Sequence, residues 1–444
     1  MVVIGGNAAG LSAASQARQQ KPDWDVIVFE KGPYISYGSC GIPYYIQGLV
    51  SRLEQLIIVT PREAVEKRKL DLRMHHTVTA INPVEKTVTV ETPVGSRVNE
   101  SFDYLVIATG AVPITKGISF TPSPYIHTVN NLDDGAAVRQ LIEERKPATG
   151  AVIGGGYIAL EVLEALKARG LETHLIHRRE DLTRTFEKEL SDLAKAEMEK
   201  EGINLNLNRS VHGLEEQNGR VTVHTDRGEL VYDLVIVATG VKPESTLARD
   251  SGIELGVKDA IRVNEYMQTN YPYIFAAGDC AETRNLITGK PAHVALALKA
   301  NKEGVIAGLN ASGRRETFKG VLGSAVTKFC NLGLARTGLT LGEAEKEGFA
   351  AVKFTFTNYS RAQYYPGGGT ITMILIADKK DGRLLGAQMA GPLDSVKRID
   401  VYAAAITAGF TLDDLYQLDL AYAPPFSPVY DPVVLAGRIG RKKI

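Results

Sequence analysis

One order of apolar runs, glycine turns and helical periods occurs twice along the chain. It begins with the apolar run VVIG at 2–5, continues as the helical pattern AAGLSAASQARQQ at 8–20, and ends in the strand pattern DVIVFE at 25–30. Strand, turn, helix and strand in this order predict a βαβ unit. The order returns as AVIGGGYIALEVLEALKARG at 151–170 and ETHLIH at 172–177.

A second phrase is also repeated, as YLVIATGAVP at 104–113 and LVIVATGVKP at 234–243. Each copy predicts a buried strand that ends at a glycine turn beside a nucleotide. Because both phrases occur twice, the sequence predicts two nucleotide-binding units and two bound nucleotides.

The remaining segments have a different period. TVTVET at 87–92 and RVTVHTDRGELVYD at 220–233 alternate, which predicts antiparallel ribbons with one solvated face. From about residue 320, antiparallel strand patterns and a helical stretch at 398–409 predict a third domain.

Composition narrows the function classes. The chain has 444 residues, too many for one core, with 44% hydrophobic and 23% charged residues. The 51 basic residues balance 51 acidic ones, which argues against binding of nucleic acid or an anionic membrane. No apolar run reaches the roughly 18 residues that span a bilayer, and the start of the chain lacks signal-peptide features. Three cysteines, an odd and sparse set, favour a reducing cytoplasm over a disulfide framework, and no metal site is predicted.

The first glycine turn reads Gly5-Gly6-Asn7-Ala8-Ala9-Gly10, and Asn7 replaces the third-position glycine of the dinucleotide fingerprint. A pyrophosphate can still meet the N-terminus of the following helix. Glu30 ends the second strand, where a carboxylate accepts hydrogen bonds from a ribose diol. This site is therefore predicted to bind FAD; the alternative is a plain tight turn.

The second turn, Gly154-Gly155-Gly156-Tyr157-Ile158-Ala159, matches the fingerprint with alanine in the last position. Its strand ends at His177, followed by Arg178 and Arg179. Cations there attract a 2′-phosphate, so this site is predicted to accept or prefer NADPH over NADH. The alternative is a solvated surface turn.

Two further residues are candidates by position. Asp279 ends the strand pattern YIFAAGD, where its carboxylate can meet a sugar-alcohol hydroxyl, although Gly-Asp also forms ordinary turns. Cys40 precedes a short helical pattern whose N-terminus is expected to favour the thiolate. The alternative, a buried structural cysteine, stays open on the residues alone. Cys280 and Cys330 are predicted to pack as small apolar groups.

Together these motifs resemble the pyridine-nucleotide disulfide oxidoreductases, in particular their single-cysteine branch, which contains coenzyme A disulfide reductases, NAD(P)H persulfide and sulfur reductases, NADH oxidases and NADH peroxidases. The resemblance implies an α/β fold with two Rossmann-like three-layer nucleotide-binding domains and an α+β C-terminal dimerisation domain. The implied limits are 1–112 with 241–320 for a split FAD domain, 113–240 for the NAD(P) domain and 321–444 for the dimerisation domain. It also implies that Cys40 is the redox-active residue of a homodimer.

The resemblance assigns cofactor contacts residue by residue. The implied FAD contacts are Gly5, Gly10, Glu30, Gly110 and Asp279. The implied NAD(P) contacts are Gly154, Gly156, Tyr157, Glu161, His177 and Arg178, with Tyr157 as a gate over the flavin. Further cofactor contacts are expected at Lys31, Ser39, Val78, Ala297 and Gly240.

Two features select among the branch members. The oxidases and peroxidases carry a histidine in the first turn, where this chain has Ala8. LAYAPPFS at 420–427 resembles the end of coenzyme A disulfide reductases, where a tyrosine from the partner subunit reaches the active-site sulfur. Tyr422 matches it, and Tyr365 is favoured over Tyr364 for a second such tyrosine. The alternative for these aromatic residues is packing at the dimer interface.

The implied reaction is reduction of coenzyme A disulfide, or of a coenzyme A persulfide or polysulfide, by NAD(P)H through a mixed disulfide on Cys40. The substrate contacts expected are Arg18, Ser36, Ser39, Lys67 and Arg68. Ser39 stands where coenzyme A disulfide reductases often have asparagine. Some persulfide reductases carry an extra rhodanese domain, and this sequence contains no pattern for one. The choice between coenzyme A disulfide and persulfide as the electron acceptor therefore stays open. The alternative function is an NADH oxidase or peroxidase that uses a cysteine sulfenic acid.

Overall fold

The computed structural model describes residues 1–182 and 184–444. The first part of the chain contains three helices and eight strands: β1 (Val2–Ile4), α1 (Ala8–Gln20), β2 (Ile27–Glu30), α2 (Ile42–Gln47), α3 (Pro61–Glu66), β3 (Asp71–Met74), β4 (Thr77–Asn82), β5 (Thr87–Glu91), β6 (Arg97–Ser101), β7 (Leu105–Ile107) and β8 (Ala111–Pro113).

The second part carries the repeated unit: β9 (Ile126–His127), α4 (Leu132–Arg145), β10 (Thr149–Ile153), α5 (Tyr157–Ala168), β11 (Glu172–Ile176), α6 (Lys188–Lys200), β12 (Asn204–Asn206), β13 (Val211–Gln217), β14 (Arg220–Thr225), β15 (Gly228–Tyr232), β16 (Leu234–Val237) and β17 (Val241–Pro243).

The last part contains the remaining elements: α7 (Thr246–Asp250), β18 (Ile274–Ala276), β19 (Thr283–Arg284), β20 (Pro291–Ala292), α8 (Ala297–Ala311), β21 (Ala325–Phe329), β22 (Leu332–Gly338), α9 (Leu341–Lys346), β23 (Ala351–Tyr359), β24 (Thr370–Asp378), β25 (Leu384–Gly391), α10 (Ile399–Ala408), α11 (Leu412–Tyr416) and α12 (Pro432–Gly440). Short 3₁₀ helices occur at Ser39–Gly41, Leu53–Leu56, Val257–Asp259 and Val396–Arg398.

Two parallel five-stranded sheets form the centres of the two nucleotide-binding parts. The first has the order β18-β7-β1-β2-β3, and the second has the order β12-β11-β10-β16-β9. Strands β1, β7 and β16 are completely buried, as strands covered on both faces must be. Because β18 returns to the first sheet, that domain is built from two separate segments of the chain.

The chain crosses between the two sheets twice, and the crossings pair with each other. Strands β8 and β17 run antiparallel, with Val112 opposite Lys242. The crossings lie close to the predicted limits at 112/113 and 240/241, which stay a prediction. Both alternating stretches form the expected antiparallel ribbons, β4-β5-β6 and β13-β14-β15.

The C-terminal part is an antiparallel sheet in the order β21-β22-β25-β24-β23. Strand β25 is buried along its whole length, and Tyr402 of α10 is completely buried against the sheet. The α/β architecture with a third α+β domain is thus the predicted one. No helix in residues 1–182 and 184–444 is long and apolar enough to cross a membrane.

Helices α1 and α8 approach each other closely enough to exclude side chains. A Cβ atom on Gly304 would lie 2.2 Å from the carbonyl oxygen of Ala9, and one on Gly308 would lie 2.3 Å from that of Ala13. This contact joins the helix after the first glycine turn to the helix after Asp279, so it holds together the two segments of the split domain.

Gly304→Ala is therefore expected to lower stability by about 1–3 kcal/mol, because α1 and α8 must separate. Urea unfolding measures the effect. Gly342→Ala in α9 is the matched control. Gly342 is exposed, and a Cβ added there meets nothing within 4 Å, so this substitution is not expected to destabilise the protein. Equal unfolding midpoints for the two variants would show that the contact is not tight.

Candidate active site

A single cleft of about 2240 Å³ connects both glycine turns. Sixteen of the site residues predicted from the sequence line this cleft. They are Gly5, Glu30, Lys31, Ser39, Cys40, Val78, Gly110, Gly154, Gly156, Tyr157, Glu161, His177, Arg178, Gly240, Asp279 and Ala297. The two predicted nucleotide sites are thus parts of one continuous space, and Cys40 opens into it.

The first glycine turn is shaped by backbone contacts. Gly5 has φ +100°, and a Cβ there would lie 2.3 Å from the carbonyl oxygen of Ala108. Gly10 does not line the cleft; its Cβ would lie 1.8 Å from the carbonyl oxygen of Gly5. Gly10 therefore lets α1 approach the turn, and its contact with FAD stays a prediction.

Glu30 is held in the cleft by two peptide groups. Its Oε2 accepts a hydrogen bond from the N–H of Gly6 at 2.8 Å, and its Oε1 accepts one from the N–H of Gly32 at 2.7 Å. Each carboxylate oxygen can accept a second hydrogen bond. Glu30 is therefore oriented to receive the two hydroxyls of a ribose.

Asp279 presents an unsatisfied acceptor to the same cleft. Its Oδ1 is buried and has no hydrogen-bond partner among the described residues. Burial raises the pKa of this carboxyl, while the nearby Lys299 and His293 act in the opposite direction. A buried carboxylate oxygen without a donor fits a hydroxyl of a bound polyol, such as the sugar-alcohol chain of FAD. Glu30 and Asp279 together thus fit FAD.

A buried ion pair supports the turn that carries Asp279. Lys299 donates to the carbonyl oxygens of Gly278 at 2.8 Å and Ala281 at 3.1 Å, and its Nζ lies 2.8 Å from Glu303 Oε2. Glu303 Oε2 also accepts a hydrogen bond from the N–H of Gly278 at 3.1 Å. Sequence reasoning missed this pair, although the i,i+4 spacing of a lysine and a glutamate is a visible signal.

The second glycine turn repeats the backbone contact of the first. Gly154 has φ +138°, and its Cβ would lie 2.1 Å from the carbonyl oxygen of Ala238. The ring of His177 lies against Gly155, where a Cβ would be 2.8 Å from Cε1. Burial lowers the pKa of His177, so the ring is neutral near pH 7 and contributes no charge to a phosphate.

Four arginines line the cleft beyond this turn: Arg178, Arg179, Arg184 and Arg209. Sequence reasoning identified the first two. Arg209 follows β12, the neighbour of β11 in the sheet, so the end of the next parallel strand was the signal that could have found it. The cluster supplies the positive charge that a 2′-phosphate requires.

Cys40 lies in the 3₁₀ turn Ser39–Gly41 directly before α2, and the residue is exposed. Desolvation by the walls of the cleft raises the pKa of its thiol above the ordinary value, and the carboxylates of Glu161 and Asp279 raise it further. This direction is opposite to the one expected from the helix N-terminus, and the expected stabilisation of the thiolate stays a prediction.

The other cysteines lie outside the cleft. Cys280 is completely buried, and its Sγ lies 3.4 Å from the carbonyl oxygen of Ala277 and 3.5 Å from that of Ile107. Cys330 is half-buried, and its surroundings raise the pKa of its thiol to about 11. Within the described chain, Cys40 is thus the one thiol that a bound nucleotide and an external disulfide could both reach.

The predicted tyrosines are on the surface of the C-terminal part, outside the cleft of their own chain. The hydroxyl of Tyr422 lies 3.5 Å from that of Tyr364. Tyr365, the residue favoured from the sequence, instead lines a separate cavity of about 340 Å³ beside Arg361 and Arg398. The fold therefore pairs Tyr422 with Tyr364 and not with Tyr365.

The predicted substrate cations are also outside the cleft. Arg18 donates to the carbonyl oxygen of Trp24 and closes the end of α1. Arg68 donates to Ser15 Oγ at 2.7 Å, and exposed Lys67 pairs with Glu63 at 2.9 Å. Ser36 has φ +42°, and its carbonyl oxygen accepts a hydrogen bond from Ile58 N–H at 2.7 Å. Their roles in substrate binding stay predictions.

Comparison with known proteins places this geometry in a family. The family described as pyridine nucleotide-disulphide oxidoreductase matches residues 1–304, and its dimerisation domain matches residues 324–432. The chain belongs to the pyridine nucleotide-disulphide oxidoreductase family. The resemblance inferred from the motifs is thereby confirmed over most of the chain.

Relatives within the pyridine nucleotide-disulphide oxidoreductases carry several names. The NAD(P)H coenzyme A polysulfide/persulfide reductase of Pyrococcus horikoshii is 41% identical over 440 residues, which cover 99% of this chain and 98% of that protein. The coenzyme A disulfide reductase of Staphylococcus haemolyticus is 33% identical over 98% of both chains. The NADH oxidase of Methanocaldococcus jannaschii is 34% identical over 100% of this chain and 99% of its own.

A solved structure shares the whole fold. The NAD-dependent persulfide reductase from A. fulgidus superimposes with a TM-score of 0.96 at 36% identity, covering 100% of this chain and 83% of that one. This agreement confirms the predicted arrangement of two nucleotide-binding units and a dimerisation domain.

Removal of the positive charge below Asp279 is expected to destabilise the fold. Lys299→Met leaves Glu303 as an unpaired buried carboxylate, which costs about 3–5 kcal/mol. Urea unfolding measures the change, and the flavin content of the purified protein is expected to fall with it. Lys346→Met is the control, because Lys346 is exposed on α9 and lies outside the cleft. A midpoint for Lys299→Met equal to that of the control would contradict the role of the ion pair.

The rate at which Cys40 is alkylated is expected to increase with pH, and the midpoint of this increase is expected to lie above that of an ordinary cysteine. Because the thiolate is the reactive form, a raised pKa places half-maximal alkylation of the nucleotide-free protein above the pH of about 8.5 typical of free cysteine. Iodoacetamide labelling of the Cys330→Ser variant, followed by mass spectrometry, measures this. The unfolded protein, in which Cys40 titrates as an ordinary thiol, is the reference. A folded-state midpoint at or below that reference would reject the electrostatic description.

Proposed function

We propose that this chain is an FAD-dependent NAD(P)H reductase that reduces coenzyme A disulfide, or a coenzyme A persulfide or polysulfide, through Cys40. The observation that carries the proposal is that Cys40 is, in the part of the chain that the structure describes, the one exposed thiol in a cleft that joins two dinucleotide turns. A lone thiol has no local partner for an internal disulfide, so its oxidised form must include an atom from the substrate.

The reaction divides into two balanced steps. The Cys40 thiolate attacks coenzyme A disulfide, which forms a Cys40–coenzyme A mixed disulfide and releases one coenzyme A thiolate. Two electrons that originate in NAD(P)H then cleave the mixed disulfide, and this restores the Cys40 thiolate and releases the second coenzyme A. When bound, FAD supplies the two-electron relay between the nicotinamide and the sulfur.

The protein's own groups support each step. In this proposal Glu30 and Asp279 accept hydrogen bonds from hydroxyls of FAD, and the arginines after β11 and β12 bind a phosphate of NADPH; their positions on the lining of one cleft support these roles. A hydrogen bond to Tyr364 raises the pKa of Tyr422, so this phenol stays protonated near neutral pH. In a homodimer, Tyr422 of the partner subunit can then give its proton to the leaving coenzyme A sulfur.

The coenzyme A specificity is supported by the names of the relatives and by the absence of a side-chain acid at Ala8. An oxidase that reduces oxygen through a sulfenic acid needs a proton source beside Cys40, and Ala8 supplies none. The NADH oxidase of M. jannaschii keeps the oxidase as the second candidate. A reducing cytoplasm, where unpaired cysteines persist, is the proposed location.

Cys40→Ser is expected to leave the reduction of bound flavin by NADPH intact and to abolish steady-state reduction of coenzyme A disulfide. Stopped-flow absorbance follows the first reaction, and release of free thiol follows the second.

The KM for NADPH is expected to be lower than that for NADH, because four arginines line the cleft beside the second turn.

Cys330→Ser is the matched control and is expected to keep full turnover. Full disulfide turnover in Cys40→Ser would reject the proposal. Oxygen consumption faster than disulfide reduction in the unmodified enzyme would favour the oxidase instead.

A further inference from the structure

Arg139 of α4 gathers the backbone carbonyls at the end of the helix that follows Cys40. Its Nη1 lies 3.3 Å from the carbonyl oxygen of Tyr45, 3.2 Å from that of Val50 and 3.1 Å from that of Ser51. All three acceptors belong to the last turn of α2 or to the loop after it. One guanidinium nitrogen therefore contacts the carbonyl oxygens of Val50 and Ser51 in the loop and that of Tyr45, which also accepts a hydrogen bond from Gly48 N–H.

Helix α2 depends on such contacts. It has six residues and is capped by Gly48, whose φ is +95° and whose N–H donates back to the carbonyl oxygens of Tyr44 and Tyr45. Helices this short are not stable by themselves, since helix formation has an unfavourable nucleation step. A cation at the C-terminus adds hydrogen bonds and a favourable interaction with the helix dipole.

The guanidinium is itself held in a fixed orientation. Its Nε donates to Glu143 Oε1 at 2.8 Å, and Arg169 donates to the same oxygen at 2.9 Å. Its Cζ lies 4.5 Å from the centre of the Tyr45 ring. The Arg139 side chain is only 18% exposed. These contacts restrict a side chain that would otherwise lose its entropy in binding the carbonyls.

Packing brings α4 against the other end of the same helix. A Cβ on Gly135 would lie 2.6 Å from Ile42 Cγ2, and Ile42 is two residues after Cys40. Ile42 and Ile46 are buried in one hydrophobic cluster with Leu132 and Val138 of α4. Helix α4 therefore contacts α2 at its beginning through packing and at its end through Arg139.

We infer that Arg139 is a positioning residue for Cys40, because it fixes α2, the helix that directly follows the nucleophile, to the second nucleotide-binding unit. The inference rests on the proposed function for the role of Cys40. Its physical content is separate: the order of residues 42–50 depends on one guanidinium from α4. No direct contact between Arg139 and the substrate or a cofactor is involved.

The test compares Arg139→Gln with Arg139→Lys in the FAD-loaded protein. Glutamine removes the charge and the fork of donors, whereas lysine keeps a cation that can reach clustered carbonyls. In Arg139→Gln, hydrogen exchange of the amides in residues 42–50 is expected to become faster. The kcat for disulfide reduction is expected to fall on the order of tenfold, because a displaced nucleophile loses its alignment, while the KM for NADPH stays within twofold. Arg139→Lys is expected to restore most of both properties.

Arg145→Gln is the matched control, because Arg145 is an exposed arginine at the end of the same helix. It is expected to leave exchange and turnover unchanged. Gly135→Ala is a second route to the same effect, since its Cβ displaces Ile42, and it is expected to reproduce the loss of kcat.

Three results would overturn the inference: exchange in residues 42–50 of Arg139→Gln equal to that of Arg145→Gln, a rise in the KM for NADPH equal to the fall in kcat, or a lysine variant no better than glutamine. Failure of the proposed function gives a different result. The unmodified enzyme would then not reduce coenzyme A disulfide, while the exchange comparison would still decide the role of Arg139.

Discussion

In each predicted nucleotide site, a backbone carbonyl that follows the neighbouring strand packs directly against the first glycine of the turn. The carbonyl oxygen of Ala108 occupies the place of a side chain at Gly5, and that of Ala238 does the same at Gly154. Only glycine permits this approach together with positive φ, so the strand, the turn and the following helix are fixed relative to each other. The cleft and the position of Cys40 both depend on these two contacts.

The first site combines an unsatisfied acceptor with an unusually well-supported turn. Among the described residues, none donates a hydrogen bond to the buried Oδ1 of Asp279, and a buried acceptor of this kind is stabilised when a ligand hydroxyl donates to it. The Lys299–Glu303 pair beneath it is completely buried and hydrogen-bonded to the same turn. The protein thus holds Asp279 in a conformation that a bound hydroxyl would satisfy, and this preorganisation favours binding.

Cys40 combines chemical isolation with mechanical support. Cys280 is buried and Cys330 lies outside the cleft, so the fold leaves Cys40 to react with sulfur from outside. Desolvation, together with the carboxylates of Glu161 and Asp279, raises the pKa of its thiol and so favours the protonated form. The helix after it is too short to be stable alone, and α4 supplies the packing and the cation that hold it. Reactivity and position thus come from different parts of the chain.

The sequence alone determined the two βαβ units, both glycine turns, Glu30 and the candidate thiol, because each is identified by consecutive residues or by a fixed spacing between residues. It also identified Arg178 and the antiparallel ribbons. Tertiary structure alone decided that Tyr422 meets Tyr364, that Arg209 joins the arginine cluster and that Arg139 reaches the end of α2. It also gives the pKa of the Cys40 thiol a direction opposite to the expected one, through desolvation in the folded cleft and then the carboxylates of Glu161 and Asp279 from distant segments. Contacts between distant segments leave no local period, and they were therefore visible only once the chain was folded.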